Sequence, residues 1–129
     1  MVQNQELIRV AKSFVGEVLN QEKNFNSAGQ VSAALLTFKG NIYSGICLDY
    51  ACGLGFCAEH AAIADMLKYR ETQIVKIVAV KQDRIISPCG RCRELMMLTD
   101  SRNKDTEVII SESVSIKLSD LLPHHWLGN

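Results

Sequence analysis

The order of elements α-β-β-α-β-α-β predicts an α/β fold, a three-layer α/β/α sandwich around a mixed five-stranded sheet. Three observations carry that expectation. Apolar residues recur at helical spacing near the N-terminus. A hairpin pattern follows across residues 31–48. From Ile74 to Val80 the chain is almost continuously apolar, the composition of a strand covered on both faces. With 129 residues and no internal repeat, low-complexity tract or linker, residues 1–129 are expected to form a single domain, large enough to bury a core without disulfides.

Element by element, Leu7, Ile8, Ala11, Phe14, Val15, Val18 and Leu19 place an amphipathic helix over residues 5–20. Residues 21–30 are polar and Asn-rich and read as a loop. Strands follow at 31–38 and 41–48, joined by a turn at Lys39-Gly40-Asn41. Residues 49–56 hold Gly53 and Gly55, a loop that lets backbone approach a ligand closely. Ala61, Ala62, Ala64, Met66 and Leu67 give residues 57–69 both helix propensity and a buried face. After the strand at 74–80, Ile85-Ile86 is a short extended piece leading into Ser87-Pro88. A helix at 91–98, a strand at 107–110 and a helical turn at 119–122, before Pro123, complete the chain.

Composition narrows the partners. Hydrophobic residues make up 47% and charged residues 22%, with 14 basic and 14 acidic side chains balancing to zero. Without a basic stripe to hold a phosphate backbone, a small molecule is expected as partner and a nucleic acid is not. The N-terminal segment is polar and no stretch is long enough to span a bilayer, so the protein is expected to be cytoplasmic, with no membrane partner. In a reducing compartment its five cysteines are free thiols or metal ligands.

Two short runs carry the chemistry: Cys57-Ala58-Glu59 and Pro88-Cys89-Gly90-Arg91-Cys92, with 28 residues between Glu59 and Pro88. Three thiolates around Zn²⁺ leave one coordination position for water, the arrangement of a catalytic zinc, whereas structural zinc usually has four protein ligands. Each run opens a helix, where unpaired N–H groups favour thiolate. A redox Cys-x-x-Cys of thioredoxin type belongs beside a chain-initial β-α-β unit, which is missing here. Glu59, two residues from the first ligand, can move protons at the site; alone it would read as a first-turn glutamate favoured by the helix dipole. Three thiolates and Zn²⁺ sum to minus one. Arg91 is the candidate for electrostatic support, its other reading being a solvated surface arginine. Arg93 and Glu94 read as surface charges, and Cys47 and Cys52 as small packing residues, Cys52 with a second reading near the metal.

The (His/Cys)-x-Glu…Pro-Cys-x-x-Cys order is the signature of zinc deaminases. At these residues the chain resembles the cytidine deaminase family, including its blasticidin S deaminase branch, to which Ser87-Pro88-Cys89-Gly90-Arg91-Cys92-Arg93 is most similar. The resemblance runs from Ser32-Ala33-Ala34-Leu35 to Leu121-Leu122-Pro123. It implies a cytidine deaminase-like fold and one Zn²⁺ per subunit on Cys57, Cys89 and Cys92. It implies hydrolytic deamination at C4 of a free cytosine nucleoside, cytidine or deoxycytidine, to the uracil nucleoside and ammonia, as in pyrimidine salvage. Glu59 would protonate N3 and pass a proton to the leaving ammonia, and the Ala58 backbone would meet the ring carbonyl. A homotetramer with shared active sites is implied too, as is an aromatic, here Trp126, closing over the base; Trp126 also reads as a tail anchor.

The departures bear on substrate. Where the family carries Asn-x-Glu for the ribose, this chain has Cys47-Leu48-Asp49. Cys47 cannot stand in for an amide, while Asp49 either accepts from a hydroxyl or simply starts a loop. A family aromatic near the sugar falls near Gly29, and His60 stands where small tetrameric relatives often have Arg, as a compensating group or a plain helix residue. His124 and His125 read as solvent-facing. The alternative substrate is a cytosine-bearing antibiotic of the blasticidin S type. From another class, a non-catalytic zinc-binding module would not need Glu59. Editing of polynucleotides is disfavoured by zero net charge.

Overall fold

The computed structural model describes residues 2–19 and 25–128. In chain order the elements are α1 (Asn4–Ser13), β1 (Ser27–Thr37), β2 (Ile42–Asp49), β3 (Gly55–Phe56), α2 (Ala58–Lys68), β4 (Ile74–Lys81), β5 (Arg84–Ile86), α3 (Gly90–Thr99), β6 (Glu107–Ile109), β7 (Ser115–Lys117) and α4 (Leu118–Leu121). The sheet has seven strands rather than the expected five, in the order β3-β2-β1-β4-β6-β7 with β5 also on β4. It is mixed, as expected: β4 and β6 run parallel, and every other pair is antiparallel. The additional strands, β3 and β7, are 2 and 3 residues long, too short for an alternation pattern to announce them.

Alternation along the two central strands builds both faces. Ala34 and Leu36 of β1 and Val78 and Val80 of β4 meet Leu7, Ile8 and Ala11 of α1. Leu35 and Ile77 point the other way, into a cluster with Ala62, Ile63 and Met66 of α2 and Met96 and Met97 of α3. With side chains alternating across a strand, β4 is apolar from Ile77 to Val80 because helices cover both of its faces.

The N-terminal helix is shorter than its apolar spacing suggests. It stops at Ser13, and Phe14 and Val18 are 53% and 66% exposed. Beyond Ser13 the backbone finds a different partner: the Gly16 and Val18 amides donate to the Gly29 and Ala28 carbonyls at 2.8 and 2.9 Å. Residues 14–18 therefore lie against the start of β1, which begins at Ser27 rather than at 31. Asn20, the expected end of that helix, and residues 21–24 of the expected loop lie outside the described residues.

Two local features place the cysteines. A Cβ on Gly45 would stand 2.5 Å from Ala61 Cβ, so α2 rests directly on β2 and only glycine fits between them. On the other side, β5 pairs with the last residues of β4, Ala79 opposite Ile86. Running back from the carboxyl end of β4, it delivers Ser87-Pro88 and the start of α3 beside the middle of that strand, where Pro88 lies close to Ile77, Val78 and Glu59.

Candidate active site

Cys57 and Cys89 occupy equivalent positions. Each is the N-cap of its helix, with extended backbone and no side-chain cap bond, so its sulfur is left to other partners. Cys92 follows within α3 and is fully buried. Together the three sulfurs lie within 4.8 Å of one another, with Cys57–Cys89 at 3.4 Å and Cys89–Cys92 at 3.5 Å. Thiolates about 2.3 Å from a tetrahedral zinc stand about 3.8 Å apart. The donor set fits such an ion in chemistry and in spacing.

Their protonation differs by environment. For Cys89, burial opposes the thiolate, but the Cys92 and Arg91 backbone N–H groups and the neighbouring sulfurs outweigh it, and the pKa falls below the ordinary thiol value. Burial, followed by the Cys89 thiol, raises Cys57 against a lowering contribution from Cys92. Burial, then the Glu59 charge, pushes Cys92 far up. The Cys57 and Cys92 thiols hold their protons more tightly than ordinary thiols, and a cation binding there must displace them.

Glu59 lies in the first turn of α2 and is only 4% exposed. Burial raises its pKa, partly offset by its own backbone N–H and by Cys92. A carboxyl so placed takes up and releases protons nearer neutrality than a surface glutamate. Both Glu59 and Ala58 line a cavity of about 370 Å³ with Cys57 and Cys89, within the range of small-molecule sites.

Cys47 and Asp49 of β2 line the same cavity. Cys47 is half-buried and its sulfur accepts the Val31 N–H at 3.2 Å. Asp49 is exposed. Arg91 stands exposed on the cavity wall, where its side chain makes no hydrogen bond or ion pair among the described residues. Trp126 is not part of this wall: it is 79% exposed, and its backbone N–H donates to Glu94 at 3.3 Å. Cys52 is exposed, in a left-handed conformation (φ 65°), outside both cavity and sulfur cluster. His124 is exposed, whereas His125 is half-buried with a shielded Nδ1.

Three residues were not anticipated in these places, and His60, read as either a compensating group or a plain helix residue, falls beside the sulfur cluster. Phe56 and Tyr50 supply aromatic wall to the cavity; the signal for Phe56 was its position directly before the Cys57 cap. His60 places Nδ1 3.6 Å from Cys92 Sγ, and burial, then the Arg91 charge, lowers its pKa. Arg93 is not a solvated surface charge. It is half-buried, and donates from Nε to the Pro88 carbonyl at 2.9 Å and from Nη1 to the Leu121 carbonyl at 3.0 Å. It thereby ties the turn before Cys89 to the C-terminal segment, which a one-residue register in α3 decides and composition does not show.

No family model matches the chain. Among characterised proteins, a probable cytidine deaminase of Dictyostelium discoideum is 34% identical over 50% of this chain, a match spanning 46% of that protein. Blasticidin-S deaminase of Bacillus cereus is 28% identical over 89% of this chain and 91% of its own length. Among solved structures, cytidine deaminases of Mycobacterium tuberculosis and Burkholderia pseudomallei superpose with TM-scores of 0.80 and 0.76 at 22% and 26% identity. They cover 98% and 97% of this chain and 98% and 100% of their own. The fold is theirs. The cytidine deaminase of Halalkalibacterium halodurans is 33% identical over 73% of this chain and 74% of its own length. By that likeness the chain belongs to the cytidine deaminase family.

Proposed function

We propose that the protein is a zinc-dependent hydrolytic deaminase that converts a free cytosine nucleoside, cytidine or deoxycytidine, to the uracil nucleoside and ammonia. The observation that carries this reading is a buried Glu59, its pKa raised by that burial, on the wall of a small cavity that also holds two of three clustered sulfurs. A structural metal site has no use for such a carboxyl.

Cys57, Cys89 and Cys92 would hold one Zn²⁺ per subunit. Bound there, the ion supplies a Lewis acid that brings the pKa of water down towards neutrality. Everything else falls to the chain. Glu59 takes the proton that attacking water loses as its oxygen bonds to C4, protonates N3, and then moves a proton to the departing amine. Water and cytosine are consumed, uracil and ammonia are formed, and the carboxyl ends as it began. Ala58, fully buried behind the first ligand, orients the ring from its backbone. Phe56 and Tyr50 give the base an apolar face, and Arg91 adds positive potential at the rim. Asp49 accepts from the substituent on N1 of the base. We further propose a cytoplasmic homotetramer in which Trp126, exposed and held away from its own cavity, serves a neighbouring subunit.

One observation favours a second substrate. The Cys47 sulfur, where an amide would face ribose, already receives the Val31 N–H, and the exposed acid of the cavity wall, Asp49, suits a cationic substituent as well as a hydroxyl. A cytosine-bearing antibiotic of the blasticidin S type meets that description. The test is loss of cytosine absorbance with zinc-loaded protein offered cytidine, deoxycytidine, cytosine and blasticidin S in turn. The expected result is turnover of a nucleoside. Turnover of blasticidin S alone selects the second substrate, and turnover of none, with zinc bound, removes the deaminase reading.

A further inference from the structure

Polar groups on the cavity wall are buried at one end and open to solvent at the other. Among the described residues, Glu59 is the only polar side chain of the wall that is buried. Asp49, Ser87 and Arg91 are exposed, and Tyr50 is half-buried with an unshielded hydroxyl. Cys47 is half-buried, but its sulfur already accepts the Val31 N–H. Backbone donors after β2 are engaged as well. The Tyr50 N–H donates to the Leu54 carbonyl at 2.8 Å, the Leu54 N–H to the Ala51 carbonyl at 3.2 Å, and the Ala51 N–H to Asn26 Oδ1 at 2.6 Å.

C4 and N1 lie across the pyrimidine ring from each other. A cytosine with C4 at the sulfurs and N3 at Glu59 therefore sends its N1 substituent away from the buried end, towards β2 and the loop that follows it. We propose that the site is strict towards the base and permissive towards that substituent. Its substrate class is then the cytosine nucleosides whether or not the sugar carries its 2′ and 3′ hydroxyls.

The reason is what an absent partner costs. A buried group loses its hydrogen bond outright when the substrate lacks the matching atom, whereas an exposed group turns to water. Sites that bury the reader of a hydroxyl reject the analogue lacking it by about 10⁴–10⁵-fold. Here the groups within reach of a sugar, Asp49, Tyr50 and Ser87, all meet solvent, and no such rejection can be built from them. Val31 and Leu54 add apolar contact, which responds to buried area and not to hydroxyls.

The inference rests on the deaminase reading of the preceding section, and the test separates the two. Zinc-loaded wild type is offered cytidine, 2′-deoxycytidine, 2′,3′-dideoxycytidine and blasticidin S, and kcat/KM is taken from the loss of cytosine absorbance. The three nucleosides should agree within about 10-fold, the scale of a hydrogen bond exchanged with water. Dissociation constants of the products uridine and 2′,3′-dideoxyuridine, measured by calorimetry, should agree within the same factor. A larger preference for the hydroxylated sugar by either measure overturns the proposal. Turnover of blasticidin S with no nucleoside turned over also overturns it, and leaves deamination itself intact. No turnover of any of the four, with zinc bound, removes the deaminase reading and this inference with it.

Discussion

The two ends of α3 show opposite treatments of polar groups. At its N-terminus, Cys89 has no cap bond, its sulfur faces a cavity, and Glu59 lies buried close by with its pKa raised. At its C-terminus, Asp100 accepts the Arg102 N–H at 2.9 Å and the Thr72 hydroxyl at 2.7 Å. Asn103, wholly buried, accepts the Ile74 N–H at 2.7 Å and donates to the Thr72 and Met96 carbonyls at 3.1 and 2.9 Å. The far end is a closed set of donors and acceptors that locks α3 to the start of β4. The near end leaves thiols and a carboxyl held by burial against their charged forms. Such a contrast is the trade between stability and activity within one helix: rigidity at one end permits frustrated groups at the other.

Breaking the frustrated end should affect turnover alone. Glu59→Gln preserves shape and removes the titrating proton, and general acid–base catalysis contributes about 10²–10⁴-fold. Turnover is expected to fall by about 10³-fold or more, with zinc content unchanged and melting temperature equal or higher, since a buried carboxyl has been replaced by a neutral amide. Measuring all three on one preparation is essential. An active variant would remove Glu59 from the chemistry, and loss of zinc would mean that it holds the metal site together.

Breaking the satisfied end should do the reverse. Asn103→Ala leaves the Ile74 N–H and two carbonyls buried without partners, at about 1–3 kcal/mol each before relaxation. Overall destabilisation of about 3 kcal/mol is expected in urea unfolding, with metal affinity and kcat unaltered well below the transition. A variant within 1 kcal/mol of wild type would mean that water replaces the amide and that this end is not closed.

How much of this was legible from residues alone divides along the same line. The meeting of Cys57, Cys89 and Cys92, with Glu59 on the same cavity wall, was readable because metal-binding chemistry restricts residue type and spacing tightly, and the two helix starts give each cysteine its place. Asn103 was not, because a buried amide bridging three backbone groups has the same letter as any loop asparagine. Nor was Arg93, whose partners lie 5 and 28 residues away in sequence. The α1 boundary failed for a related reason: Val15, Val18 and Leu19 continue the helical spacing, but pairing of residues 16 and 18 with the start of β1 overrides it. Local patterns report local chemistry; long-range hydrogen bonds leave little trace in them.

Arg93 joins the two regimes and sharpens the contrast between them. Its guanidinium spans from the Pro88 carbonyl, adjacent to a ligand, to the Leu121 carbonyl. Arg93→Gln should lower stability by about 2 kcal/mol, as loss of charged hydrogen bonds to backbone does. Unlike Asn103→Ala, it should also speed metal release into chelator several-fold, because the turn before Cys89 loses its brace. Equal release rates would place Arg93 wholly with the satisfied end.

The smallest effect concerns Asp100 and acid. The Arg102 side chain, above all, holds the Asp100 carboxyl well below the usual carboxylate range, against the opposing effect of burial; Thr72 and the Arg102 N–H add to the depression. A depressed folded-state pKa means stability that is complete above the unfolded value, near 4, and lost as pH falls through the folded one. Asp100 is 10% exposed but Arg102 is 65% exposed, so solvent screening limits the contribution to about 1 kcal/mol. Asp100→Asn keeps Oδ1 as acceptor for the Arg102 N–H and Nε, while an NH2 group replaces Oδ2, the acceptor for the Thr72 hydroxyl and Arg102 Nη2. It should melt a few degrees lower than wild type at pH 7, with the gap narrowing below about pH 4 as Asp100 of the unfolded wild-type chain takes up a proton that the folded one does not. Glu71 is depressed too, but it is common to both proteins and drops out of the difference. A gap that persisted undiminished into strong acid would assign the effect to lost hydrogen-bond geometry at the satisfied end rather than to charge.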